Sequence, residues 1–243
     1  MSKYGWKNEI DRVFNGRKNL LPEVFPSEVP PNIFSWLKSE VKQSKEKNLD
    51  ARRALAGHIN EEYDIFRSFD KSKSIVESND TNYIKYENFI KNCAFDPYFE
   101  GFWRKTNILT RPCELSIVST WVNFQKKYEF NPPHTHTGLF SWIIFLNIPY
   151  NLEDENKVFP EMNIRDENNE VVFVTSRLAF LLVNPYLSGG IDHVSINVDK
   201  SFEGKIMMFP SYLQHEVFPF YTSDDYRITI SGNASLDVNK PTN

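Results

Sequence analysis

The chain has 243 residues, a formal net charge of −4, 40% hydrophobic and 15% aromatic residues, and only 9 glycines. This composition excludes collagen-like, linker-like and disordered classes, and suits one globular core or a core with a helical annex. The charge is uneven: residues 1–120 carry 19 Lys/Arg against 17 Asp/Glu, and residues 121–243 carry 9 against 15, so no nucleic acid is expected as a partner.

The N-terminus, MSKYGWKNEIDRVF, is charged throughout and reads as no secretion signal. No apolar run reaches about 18 residues, so no membrane span is expected. Cys93 and Cys113 are isolated, with no Cys-x-x-Cys spacing, which fits a reducing cytoplasm rather than a disulfide framework or a zinc ribbon.

The first 110 residues read as helix and loop. After Pro30-Pro31, the stretch 32–43 places Ile33, Phe34, Leu37 and Val41 on one helical face. The stretch 45–53 is charged and expected at the surface. A second helix is predicted from about Ile84 to Trp103, with Tyr86, Phe89, Ile90 and Cys93 on one side and a break at Asp96-Pro97.

Beyond Pro112 the texture becomes that of strands. Leu115–Phe124 is β-branched and aromatic, and Leu139–Ile148 is apolar enough for a strand buried on both faces. Val171–Val174, Leu178–Val183, Lys205–Phe209 and Arg227–Ser231 are further candidates, with turns at Asp166–Asn169 and Glu203-Gly204. Six or more short strands predict a β-sandwich or barrel. The boundary falls near Thr110: a helical annex over 1–110 packed on the sheet, a β core over 111–238, and a tail over 239–243.

Two of the five histidines sit in Pro133-His134-Thr135-His136-Thr137-Gly138. Residues two apart on extended backbone point to one side, so His134 and His136 can reach one ion. His215, in Phe209-Pro-Ser-Tyr-Leu-Gln-His215, can supply a third ligand from a facing strand of a jelly roll. Three facial ligands leave three positions on an octahedral iron, enough for a bidentate 2-oxo acid and O2. Arg227 lies twelve residues after His215. At the start of the last strand its guanidinium can point inward, where a planar carboxylate is its natural partner. Thr229 and Ser231 share its face at period two. His58 and His193 have no comparable neighbours and read as structural or exposed. Trp121, Trp142, Tyr150, Tyr212 and Phe218 are candidates to shape a pocket, although aromatics in strands more often fill a core.

These motifs resemble the 2-oxoglutarate/Fe(II) oxygenases of the prolyl-hydroxylase-like superfamily, especially a small bacterial and phage-borne group. The matching pieces are Thr120–Asn123, Glu129–Gly138, Ser141–Tyr150, Gly204–His215 and Arg227–Asn233, covering roughly 115–235. The Leu55–Asn60 stretch also looks like phage members. The resemblance implies a double-stranded β-helix (a jelly roll, cupin-like), with Fe(II), 2-oxoglutarate and O2 and a hydroxylated product. His134, His136 and His215 would hold the iron. Arg227, Thr229 and Ser231, with Asn123 and Ser141 from the strand motifs, would hold the cosubstrate. The expected substrate is a prolyl residue or a small molecule, and a phage-encoded member would work in its host's cytoplasm. The superfamily's usual His-x-Asp is here His-x-His, with His136 in the aspartate's place. Halogenases of the superfamily have a small residue there, and His136 is too bulky for that chemistry.

Two rivals stand beside this reading. A cupin-type metal enzyme that needs no 2-oxoglutarate also uses His-x-His and a later His, but places a Glu where this chain has Phe140 and Ser141. A non-catalytic jelly-roll binding module would explain the strands but not the His/Arg set. The sequence sets no oligomeric state.

Overall fold

The computed structural model describes residues 5–14, 24–66, 80–98, 114–162, 164–165, 171–172, 175–184 and 190–237. The turn at Asp166–Asn169, the helix end at Trp103, the boundary at Thr110, Cys113 and the tail 239–243 lie outside them.

The fold is mainly β, with helices from the N-terminal segment. Twelve strands form among the described residues: β1 Phe25–Glu28, β2 Glu62–Asp64, β3 Glu114–Gln125, β4 Asn131–His134, β5 Phe140–Asn147, β6 Ile164–Arg165, β7 Val171–Val172, β8 Arg177–Asn184, β9 Gly190–Asn197, β10 Lys205–Pro210, β11 His215–Val217 and β12 Arg227–Asp237. A six-stranded sheet runs β1-β10-β5-β12-β3-β2, a four-stranded sheet runs β4-β11-β8-β9, and β6 and β7 make a short ribbon. All pairings are antiparallel. The two larger sheets face each other as the double-stranded β-helix expected from the sequence.

Alternation along β5 explains why its sequence is apolar throughout. Phe140, Trp142, Ile144 and Leu146 face one core, and Ile143 and Phe145 face another. The first core is closed by α2 (Pro31–Glu46) and α3 (Thr81–Tyr98), through Ile33, Leu37, Val41, Tyr86 and Ile90. The second lies between the sheets, where Met207 and Phe209 of β10 meet Phe180, Val194 and Ile196. A single strand serves both layers because successive side chains alternate across the sheet. Gly232 of β12 lies under Trp142: a Cβ there would run into the indole ring, with Ser119 O only 2.8 Å away.

The helical face Ile33, Leu37, Val41 is buried as the periodicity predicts. Helix α3 starts earlier than expected, where Asp80 Oδ1 accepts bonds from the Asn82 and Tyr83 amides, a side-chain cap. It also runs through Asp96 and Pro97 to Tyr98, against the expected break. A proline in the last turn forfeits one backbone bond without ending the turn it occupies.

The N-terminal segment does more than pack helices on the sheet. It supplies both edge strands of the large sheet, β1 beside β10 and β2 beside β3. Helix α1 (Trp6–Phe14) is tied to β9 by Glu9, which accepts from Asn197 N at 2.6 Å. No helix among the described residues is long and apolar enough to cross a membrane.

Candidate metal centre

Pairing of β4 with β11 sets His215 directly opposite His134. His136 follows two residues on and is fixed by its own amide, which donates to Ser211 O at 2.8 Å. Gly138, with φ +105°, then turns the chain into β5, and a Cβ there would meet Ala234 O at 2.6 Å. The result is three imidazoles with centroids 4.3, 4.9 and 5.0 Å apart, whose ligand atoms all lie within 4.8 Å of one another.

The backbone sets the tautomers of two of them. A carbonyl can only accept, so His134 Nδ1, 2.7 Å from Pro132 O, and His215 Nδ1, 3.0 Å from Leu213 O, carry the protons. Each then turns an Nε2 lone pair toward the cluster. His136 Nε2 lies 3.3 Å from His215 Nε2. Burial pushes all three pKa values down. His134 is lowered by burial. His136 falls to about 3, through burial and then the neighbouring His134. His215 is held well below its usual value by burial, then by the other two histidines. Three neutral, converging imidazoles are the state a divalent cation needs. Glu216, the carboxylate nearest in sequence, faces away and meets His193 Nδ1 at 3.2 Å.

The cavity beside the histidines is walled by the inward faces of β3 and β12. Trp121, Asn123 and Gln125 line it from β3, and Arg227, Thr229, Ser231 and Asn233 from β12. The outward neighbours Val122, Ile230 and Ala234 are core, so the polar face is the inner one. Thr229 Oγ1 accepts from Asn123 Nδ2 at 3.4 Å. Ser141 does not line the cavity. Its hydroxyl meets Ser211 Oγ at 2.9 Å and donates to Asn233 Oδ1 at 2.7 Å, so it reaches a ligand only through Asn233.

Arg227 is 3% exposed. Its Nε and Nη2 both donate to Gln125 Oε1, at 2.9 and 2.6 Å. Nη1 donates to Tyr150 OH and Ser176 O, each at 3.2 Å, and Nη2 to Phe218 O at 2.7 Å. These partners are all neutral, and no ion pair forms to Arg227 among the described residues. A buried guanidinium held only by neutral acceptors still lacks its counter-charge. The fork on Gln125 is the one a carboxylate would take.

Sequence reasoning missed Gln125, although it continues the period of Trp121 and Asn123. It also missed Glu62 and Asn131, which line the cavity from β2 and β4, because such short strands carry no periodic signal. Of the five aromatics, Trp121 lies against His136, centroids 5.4 Å apart, and Tyr150 touches Arg227. Phe218 receives the Arg177 guanidinium on its ring at 3.8 Å, Trp142 belongs to the outer core, and Tyr212 is exposed. His58, stacked on Phe130, and His193 stay outside the cluster.

A double-stranded β-helix with histidines converging from two of its strands presents a donor set suited to one divalent metal ion. Residues 119–233 match the family described as "Putative 2OG-Fe(II) oxygenase", whose chemistry uses Fe(II), 2-oxoglutarate and O2. The sequence is similar to no curated protein compared with it. Among solved structures, a Pseudomonas putida prolyl-4-hydroxylase is similar at 12% identity and a TM-score of 0.49, over 93% of this chain and 98% of that one. A viral collagen prolyl hydroxylase from Paramecium Bursaria Chlorella virus-1, in a 2-oxoglutarate complex, gives 9%, 0.45, 87% and 96%. HygX from Streptomyces hygroscopicus, with nickel and 2-oxoglutarate bound, gives 8%, 0.44, 91% and 85%. At these scores the likenesses carry no argument about the site.

Proposed function

We propose that the chain is a dioxygenase that hydroxylates a prolyl residue or a small molecule. His134, His136 and His215 hold Fe(II), and Arg227 anchors the far carboxylate of 2-oxoglutarate. When bound, iron and 2-oxoglutarate activate O2, one oxygen atom entering an unactivated C–H bond and the cosubstrate leaving as succinate and CO2. The chain's own residues bind and orient. The carbonyls of Pro132 and Leu213 hold two imidazoles with Nε2 inward. The Arg227 fork, now on Gln125 Oε1, receives the carboxylate, with Thr229, Ser231 and Asn123 beside it. Ser141 steadies Asn233 behind them.

The observation that carries this reading is the pairing, in one cavity, of three neutral imidazoles with a buried guanidinium that has no counter-ion among the described residues. The same reading takes 111–238 as the oxygenase core and 1–110 as an annex that edges and covers its sheet, in a bacterial or phage protein working in the cytoplasm. Anaerobic addition of 2-oxoglutarate to the Fe(II)-loaded protein should produce a weak visible metal-to-ligand charge-transfer band. Folded, iron-loaded protein without that band would rule out 2-oxoglutarate as cosubstrate.

A further inference from the structure

The cavity has a second wall. Ala54, Leu55, Ala56 and Ile59, from the segment before β2, line it together with Glu62. Glu62 pairs with Asn123, which in turn pairs with Thr229, so the three form one row across β2, β3 and β12 on the inner face. Neighbouring strands lie roughly 5 Å apart, which sets Glu62 two strands from Thr229 at the far side of the cavity.

Glu62 is 3% exposed, and its Oε1 has no hydrogen-bond partner. Asn123 Oδ1 and Asn131 Oδ1, on the same cavity, are also buried without partners. The amides can turn over, but a carboxyl offers no nitrogen. The charged groups around it do not neutralise it. Arg52 is taken by Asp50, through bonds of 2.9 and 2.7 Å, and by Asn60 O. Glu129 accepts from the Asn60 side chain and from the Asn60 and Lys126 amides. Arg227 has each of its N–H groups engaged. Burial, then the nearby Glu129, pushes the Glu62 carboxyl up to about 8, and Arg52, held by Asp50, offsets this only in part.

We infer that Glu62, with the amide oxygens of Asn123 and Asn131, is a specificity-determining site for a cationic nitrogen on an aliphatic stem, an alkylguanidinium or alkylammonium carried by the substrate. A multi-donor cation satisfies several of these acceptors together, and its charge favours release of the carboxyl's proton on binding. The apolar side chains of Ala54, Leu55 and Ile59 suit the alkyl stem behind it. The inference deepens the oxygenase reading by giving the substrate a basic end, and rests on it only in taking this cavity as the substrate's.

Calorimetry on the anaerobic Fe(II)/2-oxoglutarate protein tests it with matched pairs: butylguanidinium against butylurea, and Nα-acetyl-arginine methylamide against its citrulline counterpart. The cation of at least one pair should bind about tenfold or more tightly, the scale of a charge-assisted bond. The pair that shows the preference tells a free small molecule from a peptide. Glu62→Gln should bring the preference close to unity, and Glu62→Asp, which keeps the charge on a shorter arm, should retain part of it; thermal melts confirm that each variant is folded. Equal binding within both pairs, binding of neither cation, or a preference that survives Glu62→Gln overturns the assignment. The charge-transfer band is read on the same samples. A band without cation preference removes this inference alone, and a preference without the band removes the oxygenase reading and leaves the cation site.

Discussion

Replacing Glu62 by Gln should make the protein more stable, and the gain should grow with pH. The folded carboxyl has its pKa raised from 4.5 to about 8 by burial and by Glu129, against a smaller opposing effect of Arg52 and a raising one of Asp50. Between those two pH values the folded protein keeps a proton that the unfolded chain has released. Stability then falls as pH rises through the window, is unpenalised below it, and carries the full constant penalty above it. Each unit is worth about 1.4 kcal/mol, so the penalty reaches roughly 3 kcal/mol between about pH 5 and pH 7.5. Glutamine keeps the shape and has no proton to hold. Urea unfolding of both proteins at a series of pH values gives the difference directly, and contributions from groups not coupled to Glu62 cancel. The difference should be near zero below about pH 4 and rise by roughly 3 kcal/mol between about pH 5 and pH 7.5. A flat difference would mean that Glu62 is ionised and paired in the fold.

Three other outcomes follow from the site and the sheet. His136→Ala should weaken Fe(II) binding by roughly two orders of magnitude or more, since loss of an outer partner alone costs about 10–100-fold. His136→Asp should keep the metal and measurable 2-oxoglutarate turnover, and iron titration showing Ala equal to wild type would remove His136 from the centre. Arg227→Ala should weaken 2-oxoglutarate about 30-fold or more while iron affinity changes little, because a buried charge-assisted pair is worth about 2–5 kcal/mol; unchanged affinity would place the anchor elsewhere. Gly232→Ala should cost about 3 kcal/mol in chemical denaturation, because its Cβ meets the Trp142 ring and the Ser119 carbonyl. A variant as stable as wild type would show that Trp142 has room to move.

The class of fold was legible in the residues because both of its periods are strong. Phe140–Asn147 had to be buried on two faces, and Ile33, Leu37 and Val41 had to face one way. The histidines and Arg227 could be singled out for a local reason. His-x-His on extended backbone fixes a common direction, and a charged residue opening a strand of the barrel needs a partner if it points inward. Tertiary structure decided what depends on pairing between distant segments. Only the register of β4 against β11 sets His134 opposite His215. Only the ladder from β2 to β12 brings Glu62, a member of a three-residue strand, into a row with Asn123 and Thr229. Gln125 takes the Arg227 fork because strands far apart in sequence lie side by side. Ser141 shows the converse: its strand was plain in the sequence, but the Ser211 and Asn233 side chains that turn it away from the cavity come from two other segments. A sequence states each side chain's period and chemistry, but a three-residue strand has too few residues for a period and its neighbours are set by long-range pairing.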